Sequence, residues 1–153
     1  MKGLFLILSL IIALACSSSK SQISNENSLK ENQSRIIVFE YQAITRGSFL
    51  LIVMTNNGEY VTVSRDPNAT PSKQSYSTEK WLTITQEMDK LDLEDLQNIV
   101  APSNDHRFDG ALIGTLKIIV DNKEYKTMFF DHGNPPEEIK EIVKILLSFS
   151  EKE

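Results

Sequence analysis

The chain has 153 residues, of which 41% are apolar and 24% are charged, with one cysteine and two histidines. Sixteen Lys and Arg stand against 21 Asp and Glu, which gives a formal charge of −5 at pH 7. This acidic balance argues against nucleic acid and anionic lipid surfaces as partners, because both would repel the chain. A lone cysteine excludes an internal disulfide, so we expect one domain held by an ordinary hydrophobic core.

The first sixteen residues have the pattern of a secretion signal that ends at the cysteine. Met1 and Lys2 provide a positive start, residues 4–14 are apolar, and the small Ala15 precedes Cys16. These eleven apolar residues are fewer than the ~20 helical residues that a bilayer span requires. The pattern therefore predicts a cleaved signal.

This stretch resembles the signal of bacterial lipoproteins, in which a peptidase cleaves before a cysteine whose sulfur has received a diacylglyceryl group. Ala15 fits the lipoprotein pattern, whereas Ala13 and Leu14 depart from the usual residues at their positions. The resemblance implies that residues 1–15 are removed and that Cys16 anchors the chain to the cell envelope, at the outer membrane facing the periplasm. An ordinary secretory signal that contains a cysteine is the alternative.

Residues 16–34 are expected to form the lipidated N-terminus and a flexible tether. Residues 17–34 are mostly Ser, Asn, Gln, Lys and Glu, without an apolar period. A coil of this length spans on average roughly 20–25 Å, which would hold a domain clear of the lipid headgroups. Without Lys2, 15 basic residues would face 21 acidic ones, so the mature charge would be −6.

From residue 35 to residue 153 the composition predicts a single domain that begins with an antiparallel meander. Strands are expected at residues 36–44, 48–55 and 59–64. Asn56-Asn57-Gly58 is a hairpin signal, because Asn and Gly accept the positive φ of a tight primed turn. The second strand is apolar on both faces, so we expect it to be central and at least partly covered on each side.

Helical spacing follows a polar connection over residues 65–77. Trp81, Ile84, Met88 and Leu91 recur at intervals of three and four, which predicts one buried helix face. Asp92 is placed to cap a second short helix. Connections as long as residues 65–77 often contact partners, and a mobile surface loop is the alternative interpretation.

A second hairpin is expected over residues 111–120 and 124–130, and the last helix follows it. Asn134 is the expected N-cap of that helix, and Pro135 is placed at its first position, where a missing N–H costs nothing. The element order predicts a two-layer α+β domain with an antiparallel sheet of about five strands: a meander, two helices, a hairpin and a C-terminal helix. In general build this domain is similar to small bacterial lipoproteins of no known activity.

Two short polar segments carry the chemistry-bearing residues of the domain. Residues 105–110 precede the fourth expected strand and residues 131–134 follow the fifth, so the antiparallel hairpin should bring them together. The candidate catalytic residues are His106, Asp109, Asp131 and His132. No phosphate loop, Ser elbow or paired metal motif is present, and this absence lowers the expectation of an enzyme.

Three interpretations of these segments remain open. Arg107 can pair with Asp131 or Asp109 and simply close the base of the hairpin. The His and Asp side chains can instead form a metal-assisted or acid-base hydrolytic site. Arg107 beside a helix N-terminus can also hold an anion. Tyr76 lies off the helical stripe and is the candidate exposed aromatic for partner or ligand binding.

The sequence therefore predicts a lipid-anchored envelope protein that acts by binding another envelope protein or a small ligand. Its membrane contact would be the lipid on Cys16, and we expect no nucleic acid partner, no cofactor and no metal. The alternative is a hydrolase built on the His and Asp cluster.

Overall fold

A computed structural model describes residues 35–64 and 70–150 of the chain. The predicted signal, Cys16, the tether and residues 65–69 lie outside the described residues. Within them the chain forms an antiparallel sheet with helices packed on one face, so the predicted α+β fold is confirmed.

The described sheet contains seven strands, two more than expected. They are β1 (Ile37–Thr45), β2 (Ser48–Thr55), β3 (Glu59–Ser64), β4 (Ser72–Ser75), β5 (Ile113–Val120), β6 (Lys123–Lys126) and β7 (Phe130–Asp131). Their order is β4-β3-β2-β1-β5-β6, and β7 also pairs with β5. All these pairings are antiparallel, and β1 lies inside the sheet between β2 and β5.

Two α-helices and three short 3₁₀ helices complete the part of the domain that the structure describes. These elements are α1 (Thr78–Met88), α2 (Lys140–Leu147) and the 3₁₀ helices Leu93–Asn98, Asp105–Phe108 and Glu137–Ile139. Among the residues described, no helix is long and apolar enough to cross a bilayer.

The core lies between the helices and one face of the sheet. Alternate residues of β1 point into it, and Phe39 meets the ring of Trp81 edge-on at a centroid distance of 5.8 Å. Phe149, just beyond α2, stacks on Tyr60 of β3 at 4.0 Å. The expected buried stripe of the last helix is confirmed: Ile139, Ile142, Val143, Leu146 and Phe149. Trp81 is a core residue, as predicted.

The two extra strands were missed for different reasons. β4 falls inside the predicted loop, and its four polar residues are all exposed, so no apolar alternation signals it. The expected strand over residues 124–130 is divided into β6 and β7. Between them Thr127 accepts a hydrogen bond from the Leu116 N–H through its side chain, at 3.1 Å, and interrupts the regular ladder.

Several turns and helix ends differ from the expectation. The β2–β3 turn is a three-residue loop in which only Gly58 has positive φ, +86°, so it is not a primed turn. The helix after Asp92 is a 3₁₀ helix, and the Asp92 side chain accepts the Glu94 N–H at 3.1 Å. Asn134 does not cap the last helix: α2 begins at Lys140, after a 3₁₀ helix that starts at Glu137.

The sheet is not equally covered on its two faces. β2 is internal, as predicted, and its Ile52 and Met54 are fully buried against the helices. Its Phe49, Leu51 and Val53 point to the opposite face and are only partly buried. The cover on that face is therefore partial.

Candidate functional site

The start of β5 brings the two polar segments together. Ile113 pairs with Asp131, and Gly114 pairs with Phe130. A Cβ on Gly114 would lie 2.7 Å from the Phe130 ring, so only glycine allows β7 to approach this closely. Residues 105–110 and 131–134 are neighbours, as the hairpin argument predicted.

The carboxylate of Asp131 is the centre of this region and is only 3% exposed. One oxygen accepts the Asp105 N–H at 2.8 Å and the Ser103 hydroxyl. The other accepts the His106 N–H at 2.8 Å and lies 2.6 Å from His106 Nδ1. We call this arrangement of Ser103, Asp105, His106 and Asp131 the Asp131 cluster.

The cluster keeps the carboxylate ionised. Burial alone raises the pKa of Asp131, because it disfavours the charged form. The hydrogen bonds from Ser103, from the backbone of His106 and Asp105, and from the His106 ring outweigh burial and hold the pKa well below its usual range. Asn134 extends the network by donating its side-chain N–H to the Ser103 hydroxyl at 2.8 Å.

This carboxylate fixes the orientation of the His106 ring. An ionised carboxylate only accepts, so Nδ1 of His106 carries the proton of the 2.6 Å hydrogen bond. Nε2 of His106 has no partner among the described residues, and no buried side-chain nitrogen or oxygen there lacks one. Nε2 therefore keeps some contact with solvent, although the His106 side chain is only 8% exposed, and it can accept or donate a further hydrogen bond.

The opening in front of the ring is a cleft of about 560 Å³, here called the His106 cleft. Its polar lining consists of one Gln, two Asn, His106 and Arg107, and no carboxylate lines it. Its apolar lining consists of Ile99, Val100, Ala101, Ile113, Met128 and Phe129.

Large apolar side chains are exposed around this cleft. Val100 is 83% exposed, and Met128 and Phe129 are more than half exposed. Phe108, in the same 3₁₀ helix as His106, is 86% exposed. A cluster of exposed apolar side chains is typical of a binding surface, because isolated apolar residues are common on protein surfaces but grouped ones are costly to leave in water.

The side chains of the other candidate catalytic residues, His132 and Asp109, form no hydrogen bond with His106 or Asp131. The Nδ1 of His132 lies 2.7 Å from the buried Tyr41 hydroxyl, whose pKa is raised by burial. Burial also lowers the pKa of His132, so this pair is a neutral hydrogen bond at the edge of the core. Asp109 is an exposed residue with φ +57° that ends the 3₁₀ helix.

Arg107 and Tyr76 also differ from the expectation. Arg107 was expected to close the base of the hairpin, and Tyr76 was expected to be an exposed aromatic residue. Arg107 lines the cleft and forms no ion pair with any described residue, so the expected pairing with Asp131 or Asp109 is not found. Tyr76 is half-buried, stacks on Trp81 at 5.9 Å, and donates its hydroxyl to the Thr55 carbonyl. In the described part of the chain no three His, Cys, Asp or Glu are placed to hold a metal ion.

Sequence reasoning missed the cleft, and it missed Ser103, which donates to Asp131 and accepts a hydrogen bond from Asn134. One signal was available. Met128, Phe129 and Phe130 are consecutive and large, and a strand can turn only alternate residues inward, so at least one of the three had to face outward. Phe130 is buried, and the other two are exposed beside the cleft.

No family model matches the chain, and neither a curated protein nor a solved structure is significantly similar to it. Function is therefore inferred from residue chemistry and geometry.

Proposed function

We propose that this chain is a lipid-anchored protein of the bacterial cell envelope, and that its domain acts by binding through the His106 cleft. The anchor is the lipid on Cys16 that the signal pattern implies. The observation that supports a binding role is the group of exposed apolar side chains at the cleft, Val100, Met128 and Phe129. Such a surface gains free energy when a ligand or partner removes it from water.

Site-specific photo-crosslinking in intact envelopes tests this proposal. A photoreactive residue at Met128 should give a discrete adduct that a second change, Phe129→Asp, abolishes. The matched control is a photoreactive residue at Ile36, which is 55% exposed and lies at the other end of the sheet, beside the β5–β6 turn. The same products from Met128 and Ile36 would contradict a binding role for the cleft.

Acid-base hydrolysis is the second candidate, and one observation favours it. His106 lines the cleft, and Asp131 holds its ring through Nδ1 and leaves Nε2 without a partner among the described residues, which is the arrangement of a general base with its orienting carboxylate. The Ser103 hydroxyl donates to Asp131, so the nucleophile would be water. Nε2 would take a proton as the water oxygen bonds to an acyl carbon, and would return it to the departing alkoxide.

Ester hydrolysis by two histidine variants separates the candidates. If His106 is a base, cleavage of p-nitrophenyl acetate above the buffer rate should be lost in His106→Gln and kept in His132→Gln. Hydrolysis that is absent from the native chain, or equal in both variants, would remove the enzymatic candidate. The folded fraction of each variant is measured in parallel by circular dichroism.

A further inference from the structure

We infer that the His106 cleft binds a small amphipathic monocarboxylate, with its apolar body on Val100, Met128 and Phe129 and its carboxylate on Arg107. This inference rests on the proposed binding function and names the chemical class of the ligand. It depends on the charge, the shape and the polar groups of the cleft.

Charge selects an anion. The chain is acidic, with 21 Asp and Glu against 16 Lys and Arg, yet no carboxylate lines the His106 cleft. Arg107 forms no ion pair with any residue that the structure describes, so its guanidinium is available to a ligand. One guanidinium matches one carboxylate through two parallel hydrogen bonds.

The same charge count argues against a polyanion. A phosphate dianion or a polyphosphate would bring two or more negative charges to a site with a single arginine. The surrounding net charge of the chain is negative, so the excess charge would be repelled. A monoanion is the ligand whose charge the cleft can balance.

Shape and composition select an apolar body. The volume of about 560 Å³ lies within the range of small-ligand sites, roughly 300–1,000 Å³. Val100, Met128 and Phe129 present their side chains to solvent at this cleft. Covering these side chains with an apolar ligand body removes their surface from water, which is favourable, and a purely polar acid would not supply this gain.

The His106 ring completes the recognition of the carboxylate. His106 lines the cleft, and Asp131 holds its Nδ1–H, so Nε2 is the ring nitrogen that remains for a ligand. Nε2 can donate to a carboxylate oxygen when the ring is protonated and can accept from a carboxylic acid when it is neutral. Arg107 and His106 are two residues of one 3₁₀ helix, so the Asp131 cluster positions both.

Methyl NMR with 4-phenylbutyrate tests the inference on the mature chain in phosphatidylcholine nanodiscs. The Met128 methyl group reports on the cleft, and the methyl groups of the buried Met54 and Met88 are internal controls. We expect a saturable shift of Met128 alone. The uncharged 4-phenylbutyramide should bind roughly tenfold or more weakly, because it lacks a charge-assisted hydrogen bond.

Two matched variants isolate the role of the arginine. Arg107→Gln should weaken 4-phenylbutyrate roughly tenfold or more and leave 4-phenylbutyramide unchanged. Arg35→Gln makes the same charge change at the other end of the sheet, where Arg35 pairs with Asp121 at 3.7 Å, and should change neither affinity. Unshifted Met54 and Met88 signals show that each variant is folded.

Equal binding of the acid and the amide, or equal effects of the two arginine variants, would overturn the inference. If Met128 never shifts while its photo-crosslinked adduct still forms, the ligand class is wrong and the proposed binding function stands. If neither the shift nor the adduct is observed, both are wrong.

Discussion

At the scale of single residues, Asp131 links the stability of the domain to the geometry of its cleft. Its carboxylate accepts hydrogen bonds from Ser103, Asp105 and His106, so it joins β7 to the 3₁₀ helix Asp105–Phe108. Through His106 Nδ1 the same carboxylate sets which ring nitrogen remains for a ligand. Loss of this one charge should therefore affect both folding and ligand binding.

The depressed pKa of Asp131 makes its contribution to stability depend on pH. A carboxyl group whose pKa is lower in the folded than in the unfolded protein stabilises the fold above the unfolded value. That contribution is lost as the pH falls through the ordinary value of 3.8 towards the lower folded value. Asp131→Asn should therefore be less stable than the native chain at pH 7, and the difference should narrow below about pH 4. Urea unfolding between pH 2.5 and pH 7 measures it.

Asp105→Asn is the matched control for this pH dependence. It removes an exposed carboxyl group from the same 3₁₀ helix, where only the backbone N–H of Asp105 bonds to Asp131. The Asp131 carboxylate and its hydrogen bonds are retained in this variant, so the pH-dependent contribution of Asp131 should be retained as well. His132 has a pKa lowered by burial and loses its own contribution below about pH 6.5 in every variant, so it does not disturb the comparison. A constant difference between Asp131→Asn and the native chain would contradict the prediction.

Gly114 is the second residue on which the site depends, because its lack of a side chain leaves room for the Phe130 ring. An added Cβ would lie 2.7 Å from Cε2 and 3.0 Å from Cδ2 of Phe130, so Gly114→Ala must displace the ring or the strand. Overpacking of this kind costs about 1–3 kcal/mol in the free energy of unfolding. Urea denaturation should show that loss for Gly114→Ala.

Gly47→Ala supplies the control, since no atom lies within 4 Å of its added Cβ. It should change stability by less than about 0.5 kcal/mol. A smaller partner, Phe130→Leu, should recover part of the cost of Gly114→Ala when the two are combined. Equal stability of the two alanine variants would mean that the close approach of β7 to β5 is absent in solution.

At the scale of elements, Phe149 packs the end of α2 against the sheet. Its ring is buried, stacks on Tyr60 at 4.0 Å, and lies 4.5 Å from the ammonium group of Lys80 in α1. One side chain thus joins both helices to β3. Phe149→Ala should cost about 3–5 kcal/mol, the usual range for removing a buried aromatic ring.

Phe129→Ala is the same substitution at a ring that is 53% exposed beside the His106 cleft. It should change the free energy of unfolding by less than about 0.5–1 kcal/mol, since little packing is lost. It should nevertheless weaken binding in the cleft. Thermal unfolding of both variants checks the contrast, and comparable losses would show that Phe129 is part of the core.

The sequence predicts an element well where packing imposes a period. The strands over residues 48–55 and 59–64 have the predicted bounds, and the stripe of α2 is buried as expected. Prediction failed where the structure depends on hydrogen bonds that leave no apolar period in the sequence. β4 is polar and exposed. The Asn134 side chain, which was expected to cap the last helix, donates a hydrogen bond to the Ser103 hydroxyl instead. The pairing of β4 with β3 and the bond between Asn134 and Ser103 both join residues that are distant in the sequence.

At the scale of the whole molecule, topology predicted the location of the candidate site but not its bonds. Antiparallel pairing is enough to bring residues 105–110 beside residues 131–134. It cannot say which of His106 and His132 bonds to Asp131, because strand pairing alone does not set the directions of these two side chains. The result is one histidine bonded to Asp131 and another bonded to Tyr41.

The proposed location of the protein depends on a lipid anchor at Cys16. Cys16 is the only cysteine in the chain, so no other thiol can receive a thioether-linked lipid. Each buried CH₂ of an acyl chain adds about 0.8 kcal/mol to membrane binding, so a diacylglyceryl group is enough to hold the protein. Cys16→Ala should lose a metabolically incorporated fatty-acid label, and should either enter the soluble fraction or keep its uncleaved signal. Ser17→Ala should remain labelled and in the membrane fraction, whereas continued labelling of Cys16→Ala would refute the anchor.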